Sequence, residues 1–305
     1  MRPYTLLRTI SSKLPGRLSP PPVTPWPPVR TAFDQFLISE LDNLRQSPAR
    51  SLTSAEWMHK ALDIAIVAQT MAGSVTEIDK KSVDGYYRDS TELLDACNCL
   101  RERLYVINNY VRNIECALHW LDVEGEFEPS QSVLIKARDC LDSCQEEERR
   151  LKKLNAVGLA TRNSRPESLI TFFVVGVLDL LMSFKARKGL MVVVQGCDQS
   201  LSWMDSLNEV SKQVKDEVEK RRKGGNIVLD ELRELVSVVK ALRGIVCMRI
   251  NDKKVACREE MNKCVELLRR RCSEMEERMK GLEGRVDELY RQLMCIRMVL
   301  LERFP

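Results

Sequence analysis

From residue 31 onward, apolar residues recur along the chain at intervals of three and four positions. This spacing places them on one face of an α-helix, because a helix turns once every 3.6 residues or so. No stretch shows the sustained alternation of apolar and polar residues that a half-buried strand requires. The pattern therefore predicts an all-α fold, an elongated bundle of long antiparallel helices, in which residues 31–305 form a single domain.

Two of the predicted helices carry apolar positions in long heptad-like series, which are typical of coiled-coil packing. The first series, the central seam, comprises Tyr86, Ser90, Leu93, Cys97, Leu100, Leu104, Ile107, Val111, Ile114, Leu118 and Leu121. The second series, the C-terminal seam, comprises Met261, Val265, Leu268, Cys272, Met275, Met279, Leu282, Val286, Leu289, Leu293, Ile296 and Leu300. It predicts one long coiled-coil-like helix over residues 255–303.

The C-terminal seam lacks the features of an autonomous dimer. Cys272, Met275 and Met279 make its middle softer than a zipper of leucine and isoleucine, and no buried asparagine fixes a register there. Gly281 and Gly284 each weaken the helix by about 1 kcal/mol relative to alanine. We therefore expect this helix to fold back along its own chain, within a monomeric core.

The same spacing predicts shorter helices at about residues 33–44, 57–71, 130–155 and 228–246. Two sites along the chain carry the signature of a capping box, in which two residues three positions apart satisfy each other's backbone N–H groups at a helix start. One box pairs Thr53 with Glu56, and the other pairs Ser164 with Glu167.

The least polar stretch of the chain is LITFFVVGVLDLLMSF at 169–184, whose one charged residue is Asp179. A membrane span needs about 20 apolar residues to cross about 30 Å of hydrocarbon, and this stretch is shorter. A helix that is apolar on every side is typical of the centre of a bundle, so we favour a core helix that continues, increasingly amphipathic, to Val218. The basic residues within 185–188 keep open the alternative of peripheral or single-pass membrane association.

Charge and cysteine usage narrow the class of protein. The 305 residues include 48 basic and 44 acidic ones, a net charge of +4, so no overall field predicts binding to nucleic acid. The 11 cysteines fall mostly inside the helical patterns, at or beside apolar positions. They indicate reduced thiols that act as small apolar residues, and hence a reducing, cytoplasmic compartment.

Residues 1–30 differ from the rest of the chain. They contain five basic residues, no acidic residue and eight of the twelve prolines. This composition predicts a disordered, Pro-rich basic arm, because proline lacks the backbone N–H that helices and sheets use. It is also typical of an organelle transit peptide, and a chloroplast location is therefore an alternative.

Few residues are candidates for chemistry. Cys116 and His119 are three apart on one predicted helix, and Cys140 and Cys144 are four apart on another. Zinc usually takes four ligands from paired, short-spaced motifs, and these spacings match no recognised pair, so packing explains them better. No phosphate-binding, dinucleotide-binding, metalloprotease or nucleophile-elbow motif occurs. We therefore predict no catalytic residue, no cofactor and no metal.

Several motifs resemble a plant family when they are taken in order along residues 31–245. They are SLTSAEWMHKALDI at 51–64, VDGYYRDSTELLDACNCL at 83–100, ALHWLD at 117–122, ARDCLDS at 137–143 and LSWMDSLNEVSKQVKDEV at 201–218. The strongest is the tyrosine-containing entry to the LLDACN sequence. In this order the motifs resemble the Bypass proteins and their ROH-like relatives.

The resemblance implies a non-enzymatic helical protein that regulates plant development. Bypass proteins are linked to restraining a root-derived mobile signal that affects shoot growth, and ROH-like relatives are linked to subunits of the exocyst. Protein partners are therefore expected, exocyst subunits among them, and no nucleic acid. Two alternative functions remain open. One is a membrane-associated adaptor of the exocyst and secretory pathway, and the other is an enzyme of signal-molecule metabolism. In the enzyme, Asp179 would act as an acid in an apolar pocket.

Overall fold

The computed structural model describes residues 31–48, 52–73, 80–122, 129–155, 164–183, 202–222, 228–251 and 258–303. Within these ranges the chain forms helices and no strand, which confirms the prediction of an all-α fold. The helices are α1 (Ala32–Arg45), α2 (Ala55–Gly73), α3 (Lys80–Asp122), α4 (Gln131–Lys153), α5 (Pro166–Leu181), α6 (Met204–Arg222), α7 (Asp230–Ile250) and α8 (Arg258–Arg303). The elongated shape and the coiled-coil character of the seams stay predictions. The basic arm at 1–30 and the basic residues at 185–188 lie outside the described residues.

The capping box predicted at Thr53 is wrong, because α2 begins one position later than the motif requires. The hydroxyl of Ser54 accepts a hydrogen bond from the backbone N–H of Trp57 at 3.3 Å, so Ser54 caps the helix. The hydroxyl of Thr53 donates instead to Oδ2 of Asp230 at 2.8 Å. Thr53 thereby ties the start of α2 to the start of α7.

The capping box predicted at Ser164 is also wrong. Proline occupies the first position of α5, where its missing N–H costs nothing, and this makes Arg165 the N-cap residue. Arg165 makes no side-chain capping bond. The carboxylate of Glu167 lies 2.6 Å from Nε of Arg165 rather than against the backbone of Ser164.

Helix α8 runs antiparallel to α3, as three contacts along the pair show. They join Tyr87 with Arg297, Arg101 with Asp287 and Asp122 with Arg269. As the residue number rises along α3, that of its partner on α8 falls. Helix α8 also runs antiparallel to α7, since Glu231 pairs with Arg278 and Glu234 pairs with Arg271.

Helix α2 departs from the predicted antiparallel arrangement, because it runs parallel to α8. His59 lies against the backbone of Arg278, and Asp63 pairs with Arg285 at 3.0 Å, so the numbers rise together. The reason is connectivity. Helices α2 and α3 follow each other with opposite directions, and both lie against α8, so one of them must run parallel to it.

The predicted seams face the core. Every member of the central seam is buried except Leu121, and every member of the C-terminal seam is buried except Val265 and Ile296, which are half-buried. The expectation that α8 packs against its own chain is confirmed, because α8 contacts α3, α2 and α7.

The apolar segment forms α5, and each of its residues from 167 to 181 is buried. This places it in the core as predicted, packed against α2 and α3. The helix ends at Leu181 with Met182 as its C-cap, so the prediction that it continues to Val218 is wrong. Residues 184–201 lie outside the described residues. Among the helices that the structure describes, none combines the length and apolarity that a membrane crossing needs.

Candidate functional site

Polar side chains lie buried at both ends of α5, inside the most apolar part of the molecule. At its C-terminal end an ion pair joins Asp179 to Arg103 of α3. At its N-terminal end a group that we call the polar cluster comprises Gln69, Tyr86, Asp89, Glu167 and Thr171. Each of these residues is at most 4% exposed. Burying polar groups is costly unless they are paired, so their partners decide what they do.

In the ion pair, Nε of Arg103 donates to Oδ1 of Asp179 at 2.6 Å. A second guanidinium nitrogen, Nη2, donates to the backbone carbonyl of Asn155 at 2.8 Å. The two side chains are no more than 1% exposed. Asp179 therefore faces a guanidinium, not the apolar pocket that the enzyme hypothesis requires. The pair joins α3, α5 and the end of α4.

Arg103 belongs to a series on α3 that sequence reasoning missed. It comprises Asp89, Ala96, Arg103, Tyr110 and Ala117, which follow one another at intervals of seven and are each at most 1% exposed. We call this series the second seam. It lies beside the central seam because α3 packs against α4, α5 and α8 and therefore buries a wide arc. Its interval of seven was the available signal, but three of its five members are polar.

The polar cluster joins α2, α3 and α5 by hydrogen bonds. Nε2 of Gln69 donates to Oγ1 of Thr171 at 2.9 Å and to the backbone carbonyl of Glu167 at 3.2 Å. The hydroxyl of Tyr86 donates to Oε1 of Gln69 at 3.5 Å. Gln69 thus binds both neighbouring helices through one amide group, which fixes the register of α2 against α5.

Two buried carboxylates complete the polar cluster, and each has an arginine beside it. Asp89 pairs with Arg88 at 3.1 Å, and Glu167 pairs with Arg165 at 2.6 Å. Burial raises the pKa of Glu167, an effect that the charge of Arg165 opposes and that of Asp89 reinforces. Burial also raises the pKa of Tyr86, so its hydroxyl remains a hydrogen-bond donor. The cluster is built to hold helices together.

The cysteines and histidine considered for zinc are not gathered at one point. Sγ of Cys116 lies 2.8 Å from Sγ of Cys140, across α3 and α4. Cys144 is buried one turn further on, 3.8 Å from the backbone carbonyl of Tyr110, and His119 lies against an adjacent tryptophan ring. Within the described ranges, no three or more histidine, cysteine or acidic residues come together as metal ligands would.

The last turns of α8 expose apolar side chains on the face that points away from the core. Met294, Met298 and Leu301, which we call the α8 stripe, are 38%, 56% and 56% exposed. Their spacing of four and three places them on one face, whereas Leu293 and Leu300 of the C-terminal seam are buried. Sequence reasoning missed the stripe because it followed only the positions expected inside. Apolar residues outside the seam were the signal that could have revealed it.

Comparison with models of protein families finds no match, and comparisons with curated proteins and with solved structures find none either.

Proposed function

We propose that this chain is a non-enzymatic helical interaction protein that regulates plant development, as its resemblance to Bypass and ROH-like proteins implies. The α8 stripe carries this proposal. Apolar side chains spaced by four and three on an exposed helical face are the anchors by which helices bind one another. Methionine suits such a surface because its flexible, polarisable side chain adapts to a partner. The stripe is where a protein partner would dock.

Charge favours one kind of partner for the stripe. Residues 290–303 contain three arginines against a single acidic residue, Glu302. The guanidinium of Arg297 donates to α3, and the exposed arginines are Arg291 and Arg303. A basic surface steers and retains a partner of opposite charge. The partner that fits is an amphipathic helix whose apolar face is flanked by acidic residues.

The buried carboxylates support an interaction protein over the enzyme alternative. Asp179 and Asp89 are each at most 1% exposed and each lies beside an arginine. A catalytic acid must reach its substrate within hydrogen-bonding distance. Side chains so fully enclosed and paired favour a structural role in positioning α3 and α5.

Affinity capture from plant extract with the tagged full-length chain tests the proposal. The double substitution Met298→Glu/Leu301→Glu should abolish capture of a partner that contains an acidic amphipathic helix. The new carboxylates are costly to bury against its apolar face, and they repel its acidic residues. Met248→Glu is the matched control, since Met248 is a 39% exposed methionine on α7. It should leave capture unchanged.

The captured proteins are then identified by mass spectrometry. Recovery of an exocyst subunit that depends on the stripe would support the secretory link implied by the ROH-like relatives. Equal recovery of every partner by both variants would contradict the stripe as the docking surface. Folding of the variants is checked by circular dichroism.

A further inference from the structure

Two thiols face each other on the surface between α3 and α4. Sγ of Cys116 and Sγ of Cys140 are 2.8 Å apart, and both cysteines are free. A disulfide bond has a length of about 2.0 Å, so the sulfur atoms need to approach by less than about 1 Å. The two cysteines are therefore placed for bond formation without a rearrangement of the helices that carry them.

The surrounding contacts hold this pair in register. Further along the same two antiparallel helices, Nζ of Lys136 lies 4.1 Å from the centre of the Trp120 ring. In the other direction, Cys144 lies against the backbone of Tyr110. Along antiparallel helices one residue number rises as its partner's falls, so contacts in one register have a constant sum. The sums for these contacts nearly equal that for Cys116 and Cys140, so the pairing is continuous. The helices on which the thiols sit are fixed on both sides.

The thiols also differ in accessibility from the other close-packed cysteines. Cys116 is exposed and Cys140 is half-buried, whereas Cys97, Cys144 and Cys272 are buried. Burial, together with a hydrogen bond to Cys116, raises the pKa of Cys140 to about 12. Cys140 therefore stays protonated at neutral pH. Since the thiolate is the nucleophile, the exposed Cys116 is the thiol that meets an oxidant first.

We propose that Cys116 and Cys140 form a reversible, redox-controlled disulfide that links α3 to α4. The oxidant class that suits an exposed thiol is a peroxide. The Cys116 thiolate attacks one oxygen of hydrogen peroxide, the O–O bond breaks, and the departing hydroxide takes a proton to leave water and a sulfenic acid. The thiol of Cys140 then gives up its proton as its sulfur attacks the sulfur of Cys116, the S–O bond breaks, and the hydroxyl group leaves as water with that proton.

The electrons balance across these two steps. Two thiols give up two electrons and two protons, and one hydrogen peroxide is reduced to two molecules of water. A dithiol reductant reverses the reaction by thiol–disulfide exchange. The product closes a loop between residues 24 positions apart, which stabilises the fold chiefly by restricting the unfolded chain. A rise in Tm of about 5 °C is expected for a loop and a chain of this size.

The test treats the reduced full-length protein with hydrogen peroxide, blocks remaining thiols by alkylation and maps the peptides by mass spectrometry. We expect one intramolecular link between Cys116 and Cys140, its loss on treatment with dithiothreitol, and the rise in Tm. Cys116→Ser and Cys140→Ser should each abolish both the link and the rise. Cys295→Ser, which removes another exposed thiol on α8, should leave both unchanged.

Two results would overturn the proposal. One is oxidation of Cys295 while Cys116 and Cys140 remain alkylated as free thiols. The other is a rise in Tm that survives Cys140→Ser, which would place its origin elsewhere. Comparing the reduced forms of all variants by circular dichroism and Tm detects any that fold poorly, and Cys116→Ala and Cys140→Ala replace those.

Discussion

Helices α5 and α8 are both central to the fold, and they are built in opposite ways. Helix α5 has 16 residues, and every one from 167 to 181 is buried. Helix α8 has 46 residues, of which only the C-terminal seam is buried, along a surface rich in charge. The polar groups of α5 are few and buried, whereas those of α8 are many and in contact with water.

The difference teaches where each helix is vulnerable. Core position alone does not specify how a helix that is apolar on every side is rotated, because each of its faces suits an apolar neighbour. In α5 the ion pair with Arg103 and the bonds to Gln69 supply that specification. In α8 the C-terminal seam specifies the rotation, and its many similar buried contacts each contribute a part of the stability. Substitutions in α5 should therefore cause large losses of stability at a few residues. In α8 the losses should be spread over many positions.

The largest effect should come from breaking the buried ion pair on one side. Asp179→Ala leaves the guanidinium of Arg103 buried without its carboxylate, and such a change typically costs about 3–5 kcal/mol. Urea unfolding of the wild type and the variant measures the loss.

The double variant Arg103→Leu/Asp179→Leu should recover most of that stability, because a buried ion pair is often replaced by apolar residues at little cost. A double variant less stable than Asp179→Ala would show that the pair is more than a means of orienting α5.

Next in size are truncations in the C-terminal seam. Leu268→Ala and Leu289→Ala each remove a fully buried side chain, and each should cost about 2–5 kcal/mol. The two positions are separated by about 30 Å along the helix, so their costs should add in the double variant. Urea unfolding again provides the measurement. The contrast between the two helices would be wrong if the stability losses at Leu268 and Leu289 were strongly non-additive while those at Arg103 and Asp179 were additive.

A smaller effect separates two glycines of α8 that look equivalent in the sequence. A Cβ atom at Gly284 meets nothing within 4 Å, so Gly284→Ala should stabilise the protein by up to about 1 kcal/mol. At Gly281 the same atom would lie 2.6 Å from Cε1 of His59. The ring would have to move and lose its contact, at 3.3 Å, with the backbone carbonyl of Arg278.

We therefore expect Gly281→Ala to be less stable than Gly284→Ala by about 1 kcal/mol, the value of an ordinary hydrogen bond. Thermal unfolding of the two variants side by side measures the difference. Equal stabilisation by both would mean that His59 yields freely. The sequence-based expectation that both glycines only weaken the helix is revised at Gly281.

The smallest effect concerns pH and the polar cluster. Because burial raises the pKa of Glu167 above its ordinary value of 4.5, the folded protein keeps this proton to a higher pH than the unfolded chain does. Between the two pKa values the folded state binds more protons, so this group lowers stability as pH rises. Glu167→Gln removes the titration, and its stability relative to wild type should therefore increase from pH 4 to pH 7.

Unfolding in urea at both pH values measures that change, with Glu146→Gln on the surface of α4 as the control. A relative stability of Glu167→Gln that falls with pH would mean that Arg165 outweighs burial.

Periodicity in the sequence was enough to predict the all-α fold, the buried positions along α3 and α8 and the core position of α5, since apolar spacing reports which face of a helix is buried. It does not report which helix covers that face, and so the parallel packing of α2 on α8 was missed. The second seam was missed because Asp89, Arg103 and Tyr110 carry polar atoms that disguise buried positions. Arg103 could be identified as the partner of Asp179 only once α3 and α5 were placed side by side.

The position of α8 in the chain also bears on how the protein is made. Helices α2 and α3 leave the ribosome well before residues 258–303 are synthesised, yet both lie against α8 in the finished fold. Until then the faces that α8 covers stay exposed to water on the nascent chain. Such faces attract chaperones and other unfinished chains. A translation pause before residue 258 would prolong that exposure.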